Sequence, residues 1–281
     1  NGGKIQLLGE RVGLFGEARI DASGATGGGE VLVGGDYQGS NPLIKNASQT
    51  VVVNTAQIHA DALKSGNGGK VIVWSDNSTS AYGSISARGG QQSGNGGFVE
   101  VSGKRWLGFN APVDTRAPAG NDGKLLLDPT DINIVLNGTA TADTLQTGQT
   151  FQDNTPTLTS EITIAALTTA LGTGNVTITT SNADPGATSA GNINWLSGAN
   201  LDFNGLGTKT LTLSADNNIT LSGNITDSVA GGDVLNLTLN PGGAGSISIA
   251  GSINTGGGTI TLNGGTTLSG TLQNGTLTGS T

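Results

Sequence analysis

The chain has 281 residues, 49 of them Gly, with 4 % aromatic and 11 % charged side chains and neither Cys nor Met. So few large side chains exclude a globular core built on aromatics, and the lack of Cys excludes a disulfide framework, a thiolate metal site and a cysteine nucleophile. A net charge of −8 argues against nucleic acid or an anionic lipid surface as a partner.

Such a composition also fits disorder, but the apolar residues keep a register that disordered segments do not keep. Without Met, the chain is expected to be a processed product or a piece of something longer. No apolar run is long enough to span a membrane, and no basic-then-apolar leader is present.

From the first residues, apolar side chains recur two apart, the spacing of a strand with one buried face. Ile5/Leu7, Val12/Leu14 and Ile20/Ala22 are three such pairs, closed by a glycine-rich corner at 24–29. The set restarts 26 residues later at Val31/Val33 and continues with Val51/Val53 and Ile58/Ala60. Its first interval is 12 residues longer than the corresponding one in the next set, and residues 37–49 are read as a loop excursion from one corner. Val71/Val73, Thr79/Ala81 and Ile85/Ala87 come next. Val99/Val101, Leu107/Phe109 and Val113/Thr115 repeat them at a shift of 28, and Leu125/Leu127 comes 26 residues after Val99/Val101.

A nearly fixed period of this size marks a repeat architecture. Three short strands per 26–28 residues predict an all-β solenoid, a parallel β-helix whose coils stack about 4.7–4.9 Å apart. Crossovers between parallel strands are nearly always right-handed, so the helix is expected to be right-handed. The corner glycines are expected to supply positive φ and close backbone approach.

The first β-helical segment is assigned to 1–136. Near its end stand Asp128, Pro129, Thr130 and Asp131, then the strand residues Ile132, Ile134 and Leu136. Pro129 cannot donate to a ladder and marks a turn or strand edge. Over 137–175 the pattern lapses into an irregular or short-helical transition, in which Glu161–Leu171 reads either as a short helix or as a strand followed by a turn; a helical or irregular cover is preferred. A second β-helical segment runs over 176–281. There Leu211/Leu213, Ile219/Leu221 and Ile225 are echoed by Leu237/Leu239, Ile247/Ile249 and Ile253 at shifts of 26, 28 and 28. Ile260/Leu262, Leu268 and Leu272 begin another round. Neither end reads as the polar cap that a solenoid needs, so the pattern is expected to continue beyond the fragment and its open edges to permit end-to-end self-association.

The segments GGKVIVWSDNSTSAYGSISARGG, GNGGFVEVSGK and GKLLLDPTDINI resemble the shaft of the filamentous haemagglutinin-like exoproteins of two-partner secretion. LTTALGTGNVTITT and LTLSADNNITLSGNI resemble the stretch of those proteins that lies beyond their LLLDPTDI segment. The resemblance covers most of the chain, and LLLDPTDI is its most specific part. It implies a right-handed β-helical rod, secreted or held at the bacterial cell surface after export through an outer-membrane partner, and serving in adhesion, biofilm matrix or extracellular filaments. The implied targets are a host or neighbouring cell surface, or a matrix polysaccharide. The family's secretion domain carries NPNG- and NPNL-type motifs; only Asn41-Pro42-Leu43 comes near them, so that domain is not expected here.

The enzymatic alternative is a polysaccharide lyase or hydrolase on the same coil, which needs clustered carboxylates, or Asp-bound Ca²⁺ with a base. The lone His, His59, falls on the outward phase and reads as a solvated surface side chain. Asp128 and Asp131 could bind Ca²⁺, but a turn whose Asp side chains bond backbone amides is preferred. Gly231-Gly232-Asp233 resembles calcium-binding repeats only faintly. Trp74, Trp106 and Trp195 could offer glycan platforms, the basis of a binding-module alternative; Trp74 and Trp106 fall on outward phases and are expected to face solvent or to cover the 37–49 excursion. The sequons at Asn46, Asn77, Asn137, Asn175, Asn218, Asn224, Asn236 and Asn274 are expected by chance in so Thr-rich a chain, though modification there is possible. The expectation is therefore a structural shaft with no catalytic, cofactor or metal site.

Overall fold

The computed structural model describes residues 1–138, 146–147, 150–151, 159–181, 190–229, 231–273 and 275–279. The remaining part of the 137–175 transition, Asn274 and the end of the chain lie outside the described residues. The fold is mostly short strands in long parallel sheets, and it divides into two compact units.

The first unit is built on Asn1–Pro129. Its strands come in threes: β1 (Lys4–Leu7), β2 (Arg11–Leu14) and β3 (Arg19–Asp21); β4 (Glu30–Val33), β5 (Gln49–Val52) and β6 (Gln57–His59); β7 (Lys70–Ser75), β8 (Ser78–Ala81) and β9 (Ser84–Ser86); β10 (Phe98–Gly103), β11 (Trp106–Phe109) and β12 (Val113–Asp114). β13 (Lys124–Leu127) begins another set. First strands pair only with first strands, in the order β1-β4-β7-β10-β13, and the second and third strands do likewise. Every pairing among them is parallel, and like residues stack: Ile5, Val31, Val71, Val99 and Leu125 form one inward column, and Ile20, Ile58, Ile85 and Val113 another. Burying each such aliphatic side chain contributes about 1.5–3 kcal/mol.

Two expectations need correction in this unit. Val51/Val53 is not the inward pair of β5: Thr50 and Val52 align with Thr79 and Ala81, so the strand is shifted by one residue. Gln49, Thr50, Val51 and Val52 are all buried, because aromatic side chains cover the outer face as well. The corner glycines serve close approach and positive φ, as expected, but at different positions. A Cβ on Gly29, Gly69, Gly97 or Gly123 would stand 2.1 Å from the carbonyl oxygen of Gly3, Gly29, Gly69 or Gly97, respectively, one coil back. Positive φ falls at Gly27 (151°), Gly66 (90°) and Gly94 (109°) in the same corners. Finally, β4, β7 and β10 bury both faces, not one. The excursion at 37–49 folds back onto Trp74, which clusters with the buried outward residues Leu32 and Ile72 and with Phe98. It carries a single 3-10 turn at Tyr37–Gly39.

The chain then gives β14 (Ile132–Val135) to the second unit. An antiparallel pair, β15 (Gln146–Thr147) and β16 (Thr150–Phe151), belongs to the first, where the Phe151 ring meets Phe15 edge-on at 5.5 Å. Glu161–Leu171 proves to hold both a strand and a helix, β17 (Ser160–Thr163) and α1 (Ile164–Thr173). β17 is a sheet member rather than a cover, pairing in parallel with β14 through Ile162 and Ile134. Thr163 caps α1 by accepting the Ala166 N–H at 3.1 Å. The helix buries Ala166, Leu167, Ala170 and Leu171, a stripe at helical spacing.

The second unit continues with β18 (Asn175–Thr179), β19 (Ile193–Trp195), β20 (Leu201–Asp202), β21 (Thr208–Ala215), β22 (Ile219–Leu221), β23 (Ile225–Thr226), β24 (Val234–Pro241), β25 (Ile247–Ile249), β26 (Ile253–Asn254), β27 (Thr259–Leu262), β28 (Thr266–Leu268), β29 (Leu272–Gln273) and β30 (Thr276–Gly279). Its register obeys the sequence shifts: Leu211 sits on Leu237, Ile219 on Ile247 and Ile225 on Ile253. Here β21 and β24 alternate strictly between a buried face, formed by Lys209, Leu211, Leu213 and Ala215 and by Leu235, Leu237 and Leu239, and an outer face largely of Thr, Ser and Asn. Among the described residues no helix is long and apolar enough to cross a membrane.

Candidate functional site

Two buried carboxyls of the first unit, Glu100 and Asp128, lie beneath the excursion. Strand phase places Gln6, Leu32, Ile72, Glu100 and Leu126 in one outward column. Glu100 thus stands between aliphatic neighbours, and it is completely buried. Gln38 closes over it, donating its backbone N–H to both Glu100 carboxyl oxygens (3.1 and 3.2 Å) and its Nε2 to Asp128 Oδ2 (2.9 Å). Gln38 does so at φ 50° and ψ 25°, the one non-glycine positive φ among the described residues. That conformation costs a residue bearing a Cβ roughly 1–2 kcal/mol.

The rest of the excursion is anchored by charge and packing. Lys70 Nζ reaches Asp36 at 2.9 Å and Glu30 at 3.3 Å, and Asn41 Nδ2 donates to Asp36 Oδ2 at 2.8 Å. Burial works against the Asp36 charge, but the Asn41 amide and the Lys70 ammonium outweigh it and hold that carboxyl down at about 2. For Glu100 the balance is reversed. Burial pushes its carboxyl up to about 8, with the Asp128 charge adding to the effect and the Gln38 N–H and Lys70 opposing it. Trp74 packs against Gly35 and Gly39, where a methyl on either would come within 2.6 Å of the indole, and its Nε1 donates to Asp76 Oδ1 at 3.0 Å.

A second cluster lies on the outward side of the third-strand sheet. His59 Nδ1 is 2.8 Å from Ser86 Oγ, which donates to Asp61 Oδ2 at 3.0 Å. Arg88 binds the same carboxylate through Nη2 (2.8 Å) and Nε (3.2 Å). The residue types are those of a hydrolytic triad, but their order is wrong for one. Ser86 stands between the acid and the imidazole and gives its proton to Asp61, so Nδ1–H must donate to Ser86 Oγ and the ring cannot take a proton from it. A shallow cavity of about 340 Å³, lined by Arg88, Gln91, Arg116, Ala117, Pro118 and Asp122, opens beside this cluster. The guanidinium of Arg116 is bound by Asp114, at 2.6 and 2.9 Å.

The residues singled out in the sequence are dispersed. His59 is half-buried rather than freely solvated, and Trp74 and Trp106 are buried rather than solvent-facing. Trp74 does cover the excursion, whereas Trp106 packs with Val51, Phe15, Val53 and Phe151. Trp195 is fully buried in an inward column, with its Nε1 on the Ala199 carbonyl. Asp131 accepts a backbone N–H, from Asn192, and Asp128 Oδ2 accepts from the Gln38 side chain. Asp233 accepts the N–H groups of Gly205 and Gly207. Among the described residues, no three His, Asp or Glu side chains group to hold a metal ion.

The sequon asparagines are largely structural. Asn46 Nδ2 donates to the Gly39 carbonyl and to Asp76. Asn218 Oδ1 accepts the Ser246 N–H and Asn224 Oδ1 that of Ser252, each one coil on. Asn67 and Asn95 play this part in the first unit, accepting the N–H groups of Asn95 and Asn121 at 2.9 Å. Asn274 lies outside the described residues.

Glu100, Gln38 and Asp61 were not singled out by sequence. A signal for Glu100 was present: Leu32, Ile72 and Leu126, its register mates, make continuous apolar runs with their neighbours, the mark of a strand covered on both faces. No family model matches this chain, and no curated protein matches it.

Proposed function

We propose that the chain is a non-catalytic structural segment of a large secreted or surface-bound bacterial protein, a closed, right-handed parallel β-helix forming part of an adhesive or matrix-building shaft. The observation that carries this reading is the like-on-like register within each unit. Inward aliphatic columns, glycine corners and asparagine ladders all serve to bond one coil to the next. The resemblance to filamentous haemagglutinin-like exoproteins adds the expectation of export through an outer-membrane partner. The Ser86-centred order of the third-sheet cluster supports a structural rather than hydrolytic role, and the burial of all three Trp side chains counts against a glycan platform.

The test joins two measurements on the purified chain. Solution scattering should give the cross-section of a single solenoid, and incubation with pectin, alginate or peptides should leave each intact. A spherical particle would overturn the shaft, and cleavage abolished by Asp61→Asn or Glu100→Gln would overturn the non-catalytic role.

A further inference from the structure

We propose that the 37–49 excursion is a proton-held latch, closed over the first unit while Glu100 is protonated and loosened when that proton leaves. The geometry that carries this is a buried carboxyl in an aliphatic column, bonded from above by Gln38 in a costly backbone conformation. Gln38 is held at φ 50° by its bonds to Glu100 and Asp128. A charge formed on Glu100 would sit between Ile72 and Leu126 without water, beneath a second carboxyl that shares the same clasp. Lifting Gln38 restores water to Glu100 and releases the backbone strain together.

The other titratable groups facing this place are Asp128 just after β13, Lys70 and Glu30 from the neighbouring strands, Asp36 immediately before the excursion and Tyr37 within it. Asp36 is held at about 2, below the range in which Glu100 titrates. The Lys70 and Tyr37 groups are both raised, above that range. Between the ordinary carboxyl value of 4.5 and about 8, the closed form keeps a proton that the open form releases. Closure is therefore strongest in acid, weakens as pH rises through that window, and changes no further above it. Opening would uncover Trp74, which packs against Gly39 of the excursion and clusters with the apolar Leu32 and Ile72.

Hydrogen exchange at the Gln38 and Gly39 amides, corrected for intrinsic exchange chemistry, tests the latch in the whole chain. The opening equilibrium should grow by up to about tenfold per pH unit between 5 and 8, then level off. In Glu100→Gln, which keeps the shape and cannot ionise, the growth should vanish and protection at pH 8 should exceed that of the unaltered chain. Should that variant fold poorly, the carboxyl-carbon NMR shift of Glu100 in the unaltered chain supplies the second reading, with a midpoint far above the ordinary carboxylate range. Protection that is independent of pH, a pH dependence retained in Glu100→Gln, or an ordinary Glu100 midpoint would each overturn the proposal.

Discussion

Strands β7 and β24 use the same inward device and opposite outward ones. In β7 the inward Val71 and Val73 alternate with Ile72 and Trp74, which are buried just as completely because the excursion lies over them. In β24 the inward Leu235, Leu237 and Leu239 alternate with Asn236, Thr238 and Asn240, which stay half-exposed. The inner columns hold the stack in both units. What differs is whether the outer face has been given something to do, and among the described residues only the first unit hides a titratable carboxyl there.

The sharpest way to break this comparison is to place a charge on each face in turn. Val99→Asp and Leu237→Asp put an unpaired carboxylate into an inner column, and each should cost on the order of 4–5 kcal/mol in denaturant unfolding. If the inner columns are equivalent, the two losses should match within about 1 kcal/mol. Ile72→Asp should come next at about 3 kcal/mol, the excursion yielding before the stack does, whereas Thr238→Asp should stay within about 0.5 kcal/mol. Equal losses at Ile72 and Thr238 would mean that the excursion does not seal its face.

Gly97→Ala probes what the corners need. Its Cβ would meet the Gly69 carbonyl at 2.1 Å, so the coil must spread, at a cost of about 1–3 kcal/mol. Gly198→Ala is the contrast: φ is 82° there, but nothing lies within 4 Å of the new methyl, so its cost should be the backbone strain alone, about 1 kcal/mol. The smallest effect belongs to the ladders. Asn95→Ala and Asn218→Ala each remove the acceptor of one N–H on the next coil and should cost about 1 kcal/mol apiece. Since both units use the same bond, a large difference between these two would separate them where the static geometry does not.

The inner columns were legible in the sequence because Val71, Val99 and Leu125 repeat at a fixed period and strand alternation does the rest. Register failed at β5, where the run Thr50-Val51-Val52-Val53 is apolar or β-branched on both phases and spacing cannot choose between them, and the alternation Ile132/Ile134/Leu136 overran its strand, since Leu136 lies past β14 and is exposed. The outer face was not legible in the same way. Phe98-Val99-Glu100-Val101 reads as plain alternation with a solvated Glu, and what buries that Glu is a loop contributed from 62 residues earlier in the chain. Ladder asparagines were hidden for a different reason: Asn218 and Asn224 match the glycosylation pattern, and nothing local distinguishes an amide that bonds the next coil from one that faces water.

The asparagine ladder also bears on how the molecule ages. Asn67 and Asn95 each precede a glycine, Gly68 and Gly96, the dipeptide most prone to succinimide formation because the following nitrogen can reach the side-chain carbonyl carbon. In the folded chain both partners of that reaction are occupied. Gly68 N donates to the Asn95 carbonyl and Gly96 N to that of Asn121, at 2.8 and 2.9 Å, while the Asn67 and Asn95 side-chain oxygens are fixed by the next coil. Deamidation at these two sites is thereby coupled to the opening of the stack. The slow gain of mass at Asn67 and Asn95 becomes a clock that runs only when coils come apart, readable on protein recovered long after it was made.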